Sequence, residues 1–234
     1  MPIHQLHFES IDSTMDAARN EAAGYDFLLV TADTQTSGRG SKGRAWQSPK
    51  GNVHLTLAVH RKFLPDLRLK LFPLEVGLAL WESAARCIPP ANRSSLHLKW
   101  PNDLLWEQRK AAGMLLETSG DHLFIGLGVN IVKAPAISDG GTSSACLIEA
   151  GADADCGSLL SSTFAENIHQ KLLTRQTTHI IEDWKSRALW NIPLRLRDRP
   201  GQPQVLPLDL NSDGHLRVKF GDGHEEFLIS EYLI

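Results

Sequence analysis

"AAGMLLETSGDHLFIGLGVNIV", residues 111–132, decides the fold. Gly120 and Asp121 mark a tight turn between two apolar runs, so the stretch predicts an antiparallel strand pair. In the second strand Leu123, Ile125, Leu127 and Val129 alternate with Phe124, Gly126, Gly128 and Asn130, which puts the two sets on opposite faces. The first set is a core face. The second combines two glycines with an amide, a surface that something approaches closely. Moving toward the N-terminus, "NVHLTLAVH" (52–60) repeats the alternation with Val53, Leu55, Leu57 and Val59, and "DFLLVTAD" (26–33) is a shorter apolar strand. "SSLHLKW" (94–100) alternates Leu96, Leu98 and Trp100 with His97 and Lys99 until Pro101, Asn102 and Asp103 break it.

Helical patterns lie between these strands. "IDSTMDAARNEAAG" (11–24) predicts a helix starting at Ser13, with Ser13 and Asp16 at capping-box spacing and Gly24 as its stop. "LFPLEVGLALWESAARC" (71–87) places Leu71, Leu74, Leu78, Trp81 and Ala85 on one stripe, and Pro89-Pro90 ends it. Residues 133–157, rich in Gly, Ala, Ser and Asp, read as an irregular excursion, and residues 158–188 as helical throughout. From Pro193 the chain changes to short β runs with turn signals at Asp213-Gly214 and Asp222-Gly223. The fold class is α/β of the α+β type. Residues 1–190 form a mixed β-sheet with flanking helices, and residues 191–234 a small all-β domain.

Composition narrows the function. A length of 234 residues suits one sizeable domain with a small appendage. Hydrophobic content of 42% with 22% charged residues is that of an ordinary globular protein, and a net charge of −3 argues against general binding of nucleic acid or membranes. Cys87, Cys146 and Cys156 form no CxxC, which suggests a reducing compartment and no disulfide framework. No apolar run approaches membrane-spanning length, and "MPIHQLHFES" lacks the regions of a signal peptide, so the cytoplasm is the expected location.

Positive charge is concentrated in "QTSGRGSKGRAWQSPKGN" (35–52). Gly38, Gly40 and Gly43 let the backbone bring N–H groups near an anion, Arg39, Lys42 and Arg44 supply charge, and Trp46 offers a flat face to a purine. The alternative is a solvated surface loop. Neither GxxxxGK[ST] nor GxGxxG is present, so the loop points to phosphate without a standard nucleotide motif. Its cations have no evident intrachain partner, which predicts that residues 36–46 are mobile until a ligand orders them. Lys99 is either a snorkelling lysine at a strand end or an ammonium beside carboxylate or phosphate oxygens. Arg109 and Lys110 read as a solvated pair. No nucleophile–base set and no metal-ligand spacing stands out among the ten histidines and three cysteines. Ser13 and Thr14 read as a helix cap, a place where a polar ligand can bind. Such a site suits a reaction whose substrates supply the nucleophile, for instance a carboxylate attacking the α-phosphate of ATP.

"DSTMDAA", "QTSGRGSKGRAWQSPKGN", "LKWPNDLLW", "RKAAGMLLE" and "GLGVNI" occur here in the order found in biotin protein ligases, and the chain resembles that family. The resemblance is strongest from Ser10 to Ile131. It implies the biotin/lipoate ligase catalytic fold with a small C-terminal SH3-like domain, in the form without an N-terminal DNA-binding domain. It also implies an AMP-forming ligase that converts biotin and ATP·Mg²⁺ to biotinyl-adenylate and transfers biotin to a lysine of a carboxyl carrier domain in a biotin-dependent carboxylase. The enzyme would be a monomer or homodimer with neither nucleic acid nor membrane as partner. Implied catalytic residues are Lys99, Arg39 and Arg44. The biotin site would use Ser13, Thr14, Met15, Gln35, Gly38, Arg39, Gly40, Ser41, Lys99, Gly113 and Leu115. The ATP site would use Arg39, Ser41, Lys42, Arg44, Trp46, Asn102 and Asn130.

Three positions depart from the family pattern. Met15 stands where many members have asparagine, and Ser41 where GRGRRGR has its second arginine, which bears on retention of the adenylate. The C-terminal "SEYLI" differs from the expected glycine–glutamate ending. Two other readings remain: a lipoate or octanoate ligase of the same superfamily, or an inactive paralogue that only binds biotin or a partner.

Overall fold

The strand pair at residues 111–132 forms the centre of a seven-stranded sheet. The computed structural model describes residues 1–64, 69–135, 143–174, 179–190, 192–197 and 199–229, without the side chain of Lys42. The sheet comprises β1 (His4–Ile11), β2 (Phe27–Gln35), β3 (Val53–His60), β4 (Leu96–Lys99), β5 (Asp103–Trp106), β6 (Arg109–Ser119) and β7 (His122–Val129), in the order β1-β2-β3-β7-β6-β5-β4. β1 and β2 pair in parallel, because the chain between them crosses over through α1 (Thr14–Glu21); every other neighbour is antiparallel. The sheet is mixed, as expected.

Its two faces are unequal. On one, Leu55, Leu57, Ile125 and Leu127 pack into the main core with α2 (Phe72–Cys87), α3 (Gly157–Thr174) and α4 (Ile180–Arg187). Burying one such leucine or isoleucine stabilises the fold by about 1.5–3 kcal/mol. On the other, α1 covers only part of the sheet, with Met15, Ala17 and Ala18 against Leu28, Val30, Ala58 and Phe124. Beyond α1 that face carries glycines, Gly113 and Gly128, in place of large side chains.

Several expectations are corrected. β1 was not anticipated: as an edge strand it is mostly exposed and shows no clean alternation. β5 hides in "NDLLW", where Leu104, Leu105 and Trp106 are all buried, so the Pro101 turn joins two strands of a hairpin. The helical run 158–188 divides into α3 and α4, and His179 at φ +64° precedes the second helix. Residues 175–178 and 136–142, and the "SEYLI" ending (230–234), lie outside the described residues. Ser13 precedes α1 as expected, yet its hydroxyl makes no capping bond.

After residue 193 the chain builds a second antiparallel sheet, β11-β10-β9-β8, from β8 (Leu194–Arg195), β9 (Gln204–Leu210), β10 (Leu216–Lys219) and β11 (Glu225–Leu228). Gly214 and Gly223 take φ of +79° and +92° in the two turns read from the sequence. The first turn docks on the main body: Trp100 Nε1 donates to the Gly214 carbonyl at 3.3 Å, and Lys70 lies 3.3 Å from Asp213.

Candidate active site

The sheet register brings distant residues into line. His54 pairs with Gly128, Gly128 with Gly113, Gly113 with Asp103, and Asp103 with Lys99, making one row across five strands on the face that carries α1. The next row holds Thr56, Gly126 and Leu115. Gly113 and Gly128 have no side chains, and this gap is where the Trp46 indole rests. A Cβ on Gly113 would lie 3.2 Å from Trp46 Cζ3, and one on Gly128 would overlap Trp46 Nε1 and Cε2. Neither glycine has positive φ, so both serve close approach rather than an unusual backbone. Lys110 Nζ lies 5.4 Å from the Trp46 ring centroid and 2.5 Å from Asp103, so it is a participant here rather than a solvated bystander. One row away, a Cβ on Gly126 would come within 2.9 Å of Met15 Sδ. Met15 therefore contributes packing.

A hydrogen-bonded chain ties α1 to the glycine-rich loop. Thr56 Oγ1 donates to Thr14 Oγ1 (2.9 Å), which donates to Gln35 Oε1 (3.1 Å); the Thr14 N–H reaches the same oxygen at 2.9 Å. Gln35 Nε2 donates to Ser48 Oγ (2.8 Å), which donates to the Trp46 carbonyl (3.3 Å). Chains of this kind stiffen their members. Gly38 is needed where the strand leaves this chain, since a Cβ there would sit 2.6 Å from the Trp46 carbonyl oxygen and 2.8 Å from Ser48 Oγ.

The loop is a closed arch. Trp46 N–H donates to Gly38 O and Gly40 N–H to Arg44 O, both at 2.8 Å, around a 3-10 turn at Ser41–Gly43. Its arginines have partners, which corrects the expectation that they lack them. Arg39 grips Asp16 with both Nη atoms at 3.0 and 2.6 Å, and Arg44 Nη2 donates to Ser41 Oγ at 2.8 Å. The Lys42 side chain lies outside the described residues.

Electrostatically this corner suits an anion. Burial pushes the Lys99 ammonium below the ordinary lysine range; Asp103 opposes that, while Lys110, Arg197 and Arg44 add to it. Cations outnumber carboxylates around Lys99, a field that favours negative charge. Buried polar atoms around this row also lack hydrogen-bond partners, among them Ser13 Oγ, Trp46 Nε1, His54 Nδ1 and Asn130 Oδ1. Each is costly to leave unpaired, which makes it a marker for a ligand. Asn130 is held by its Nδ2, which donates to the Ala145 carbonyl at 3.1 Å. Asn102 Nδ2 is occupied by the Met114 carbonyl at 3.0 Å, so this amide braces β5 against β6.

Some participants were not read from the sequence. Asp16 holds Arg39, Thr56 and Ser48 complete the hydrogen-bonded chain, and Asp103 sits among the cations. Asn52 Oδ1 accepts the N–H groups of Ile131, Val132 and Lys133 at 3.0–3.1 Å and so fixes the segment after Asn130. Its place at the end of the "QSPKGN" run was the available signal. His54 is 2% exposed; burial lowers its pKa and keeps it neutral, while its Nε2–H donates to the Pro49 carbonyl at 3.1 Å.

The match to a family model places this fold and site among the protein ligases: the chain belongs to the biotin/lipoate A/B protein ligase family, whose model matches residues 7–130. Among individual relatives, a biotin--[acetyl-CoA-carboxylase] ligase of Mycobacterium tuberculosis is 28% identical over 220 residues, covering 91% of this chain and 80% of the relative. The biotin protein ligase of Leishmania major, solved in complex with biotinyl-5-AMP, superposes with a TM-score of 0.75 at 29% identity, over 98% of this chain and 100% of that one. The Aquifex aeolicus ligase, solved in complex with biotin and ATP, gives 0.78 at 25% identity, over 98% and 97%.

Proposed function

We propose that this chain condenses biotin with ATP to biotinyl-AMP and pyrophosphate, then transfers the biotinyl group to a lysine of a biotin carboxyl carrier domain in a biotin-dependent carboxylase. The observation that carries this reading is the cradle over Gly113 and Gly128. There Trp46, whose buried Nε1 has no partner, lies against two glycines in a row that ends at Lys99 and its neighbouring cations, in a chain similar along its length to biotin protein ligases. Ser13, Thr14 and Gln35 would hold the ureido head of biotin above Leu115. Lys99, Arg39 and the Gly40–Ser41 backbone would hold the carboxylate and the α-phosphate. Arg44, Trp46 and Asn130 would serve the nucleotide, with Lys42 and Asn102 at its margin.

Attack of a carboxylate on a phosphate brings two anions together, so preorganised cations are the main catalytic device. Arg39 reaches the ligand by exchanging the Asp16 carboxylate for the substrate's. The pair is well exposed and such pairs are worth only about 0–1 kcal/mol, so this costs little. The closed arch then excludes water from the mixed anhydride until the acceptor amine attacks its carbonyl carbon and AMP leaves. Among the described residues no group of three His, Cys, Asp or Glu side chains could hold a metal ion. The Mg²⁺ expected with ATP would be held by the triphosphate oxygens together with water and at most one or two protein oxygens.

We place the boundary of a small C-terminal SH3-like domain at residues 190/191 and assign the enzyme to the cytoplasm, as a monomer or homodimer. No helix among the described residues is long and apolar enough to cross a membrane. An inactive paralogue would be expected to have lost Arg39, Arg44 or Lys99, and all three are present. The test is intact-mass analysis of a carrier domain incubated with the protein, biotin and ATP. One biotinyl group should be gained, and none when ATP is omitted. An unchanged mass with ATP present refutes the reading.

A further inference from the structure

On the sheet face opposite the cradle, two of the three cysteines meet. Cys87 is the last residue of α2, and Cys156 immediately precedes α3, 69 positions later. Cys87 Sγ lies 3.4 Å from the Ser83 carbonyl oxygen and 3.9 Å from that of Cys156, so the two cysteines are neighbours in space. Cys146 is engaged elsewhere, with its Sγ 3.2 Å from Glu149 Oε1. A buried cysteine is ordinarily a small apolar filler. A half-buried thiol lying 3.9 Å from the backbone of a buried cysteine is a different object, because two cysteines held this near each other are candidates for the roughly 2.05 Å bond of a disulfide.

We propose that Cys87 and Cys156 form a modification site, a dithiol that hydroperoxides convert reversibly to an intrachain disulfide fastening the end of α2 to the start of α3. Hydroperoxide reaches Cys87 first, since Cys156 is only 7% exposed. The hydrogen bond from Cys156 favours the Cys87 thiolate and lowers its pKa. That same bond, with burial, pushes Cys156 up. In the first step the Cys87 sulfur attacks one peroxide oxygen: an S–O bond forms, the O–O bond breaks, and the leaving oxygen departs as water. In the second, the Cys156 sulfur attacks the sulfenic sulfur: the S–S bond forms, the S–O bond breaks, and hydroxide leaves as water with the Cys156 proton. Two thiols and one H₂O₂ thus give one disulfide and two waters. With Cys156 as its neighbour, the sulfenic acid is captured before it can climb to sulfinic acid. A thiol reductant reverses the reaction by exchange.

The experiment treats the full chain with hydrogen peroxide and maps its peptides without reduction. The expected result is a loss of about 2 Da, a peptide linked through Cys87 and Cys156, and full reversal by dithiothreitol. Closing a loop of this length should also raise the melting temperature of the oxidised form by about 5 °C or more. Cys87→Ser should abolish both effects, whereas Cys146→Ser should keep them. Accumulation of sulfinic or sulfonic acid on Cys87 without the linked peptide, a link through Cys146, or no change in mass would each overturn the proposal. These readouts do not depend on the ligase reading.

Discussion

Lys99 stands where a buried strand meets the cationic corner, and its environment makes two results expected. Removing one preorganised charge of this kind typically costs about 3 kcal/mol, on the order of a hundredfold in rate. Lys99→Ala should therefore release pyrophosphate about a hundred times more slowly while keeping its thermal melt; near-normal turnover would remove Lys99 from the mechanism. Its pKa is also lowered, first by burial. The working form is the ammonium, so kcat/KM for biotin should fall on the alkaline side earlier than an ordinary lysine, near pH 10.4, would dictate. An alkaline limb at or above that value would contradict the lowered pKa. Gly128 gives a steric test. Alanine is compatible with its backbone, yet the new methyl would overlap the Trp46 indole. Gly128→Ala should raise the KM for ATP by about tenfold, within the cost typical of overpacking, with little change in melting temperature. An unchanged KM would place the nucleotide elsewhere. The two glycines and the amide of one strand face were visible in the sequence because alternation exposes them. The Arg39–Asp16 pair was not, because two polar residues 23 positions apart carry no periodic signal.

Among the elements, the arch at residues 38–46 has the most to do. Without ligand it is already held by two backbone bonds across its base and by Arg39 on Asp16, so it is less open than its glycines suggest. Adding biotin and a non-hydrolysable ATP analogue should slow hydrogen exchange at Gly40 and Trp46, as the cations pass from exposed partners to a buried ligand. Equal exchange in both states would show that the ligand does not tighten the arch. The central strands and α2 were legible because one of their faces is buried and the other is not. β5 was concealed by burial on both faces, and β1 by exposure at the sheet edge. The single helical run 158–188 lacked a glycine or proline to announce that it divides into α3 and α4.

For the molecule as a whole, the sheet separates stability from chemistry. The face under α2, α3 and α4 is a continuous apolar core, and the face under α1 carries the glycine row against which Trp46 lies. The second sheet reaches this machinery through Trp100, which lies beside Lys99 in sequence and bonds the Gly214 turn. None of these features distinguishes biotin from another carboxylic acid by physics alone; the motifs and the relatives do. The decisive measurement is pyrophosphate release by the full chain with ATP and biotin, lipoate or octanoate supplied separately. Release dependent on biotin, with lipoate and octanoate near background, is the predicted result. Release driven by lipoate or octanoate and not by biotin would contradict it.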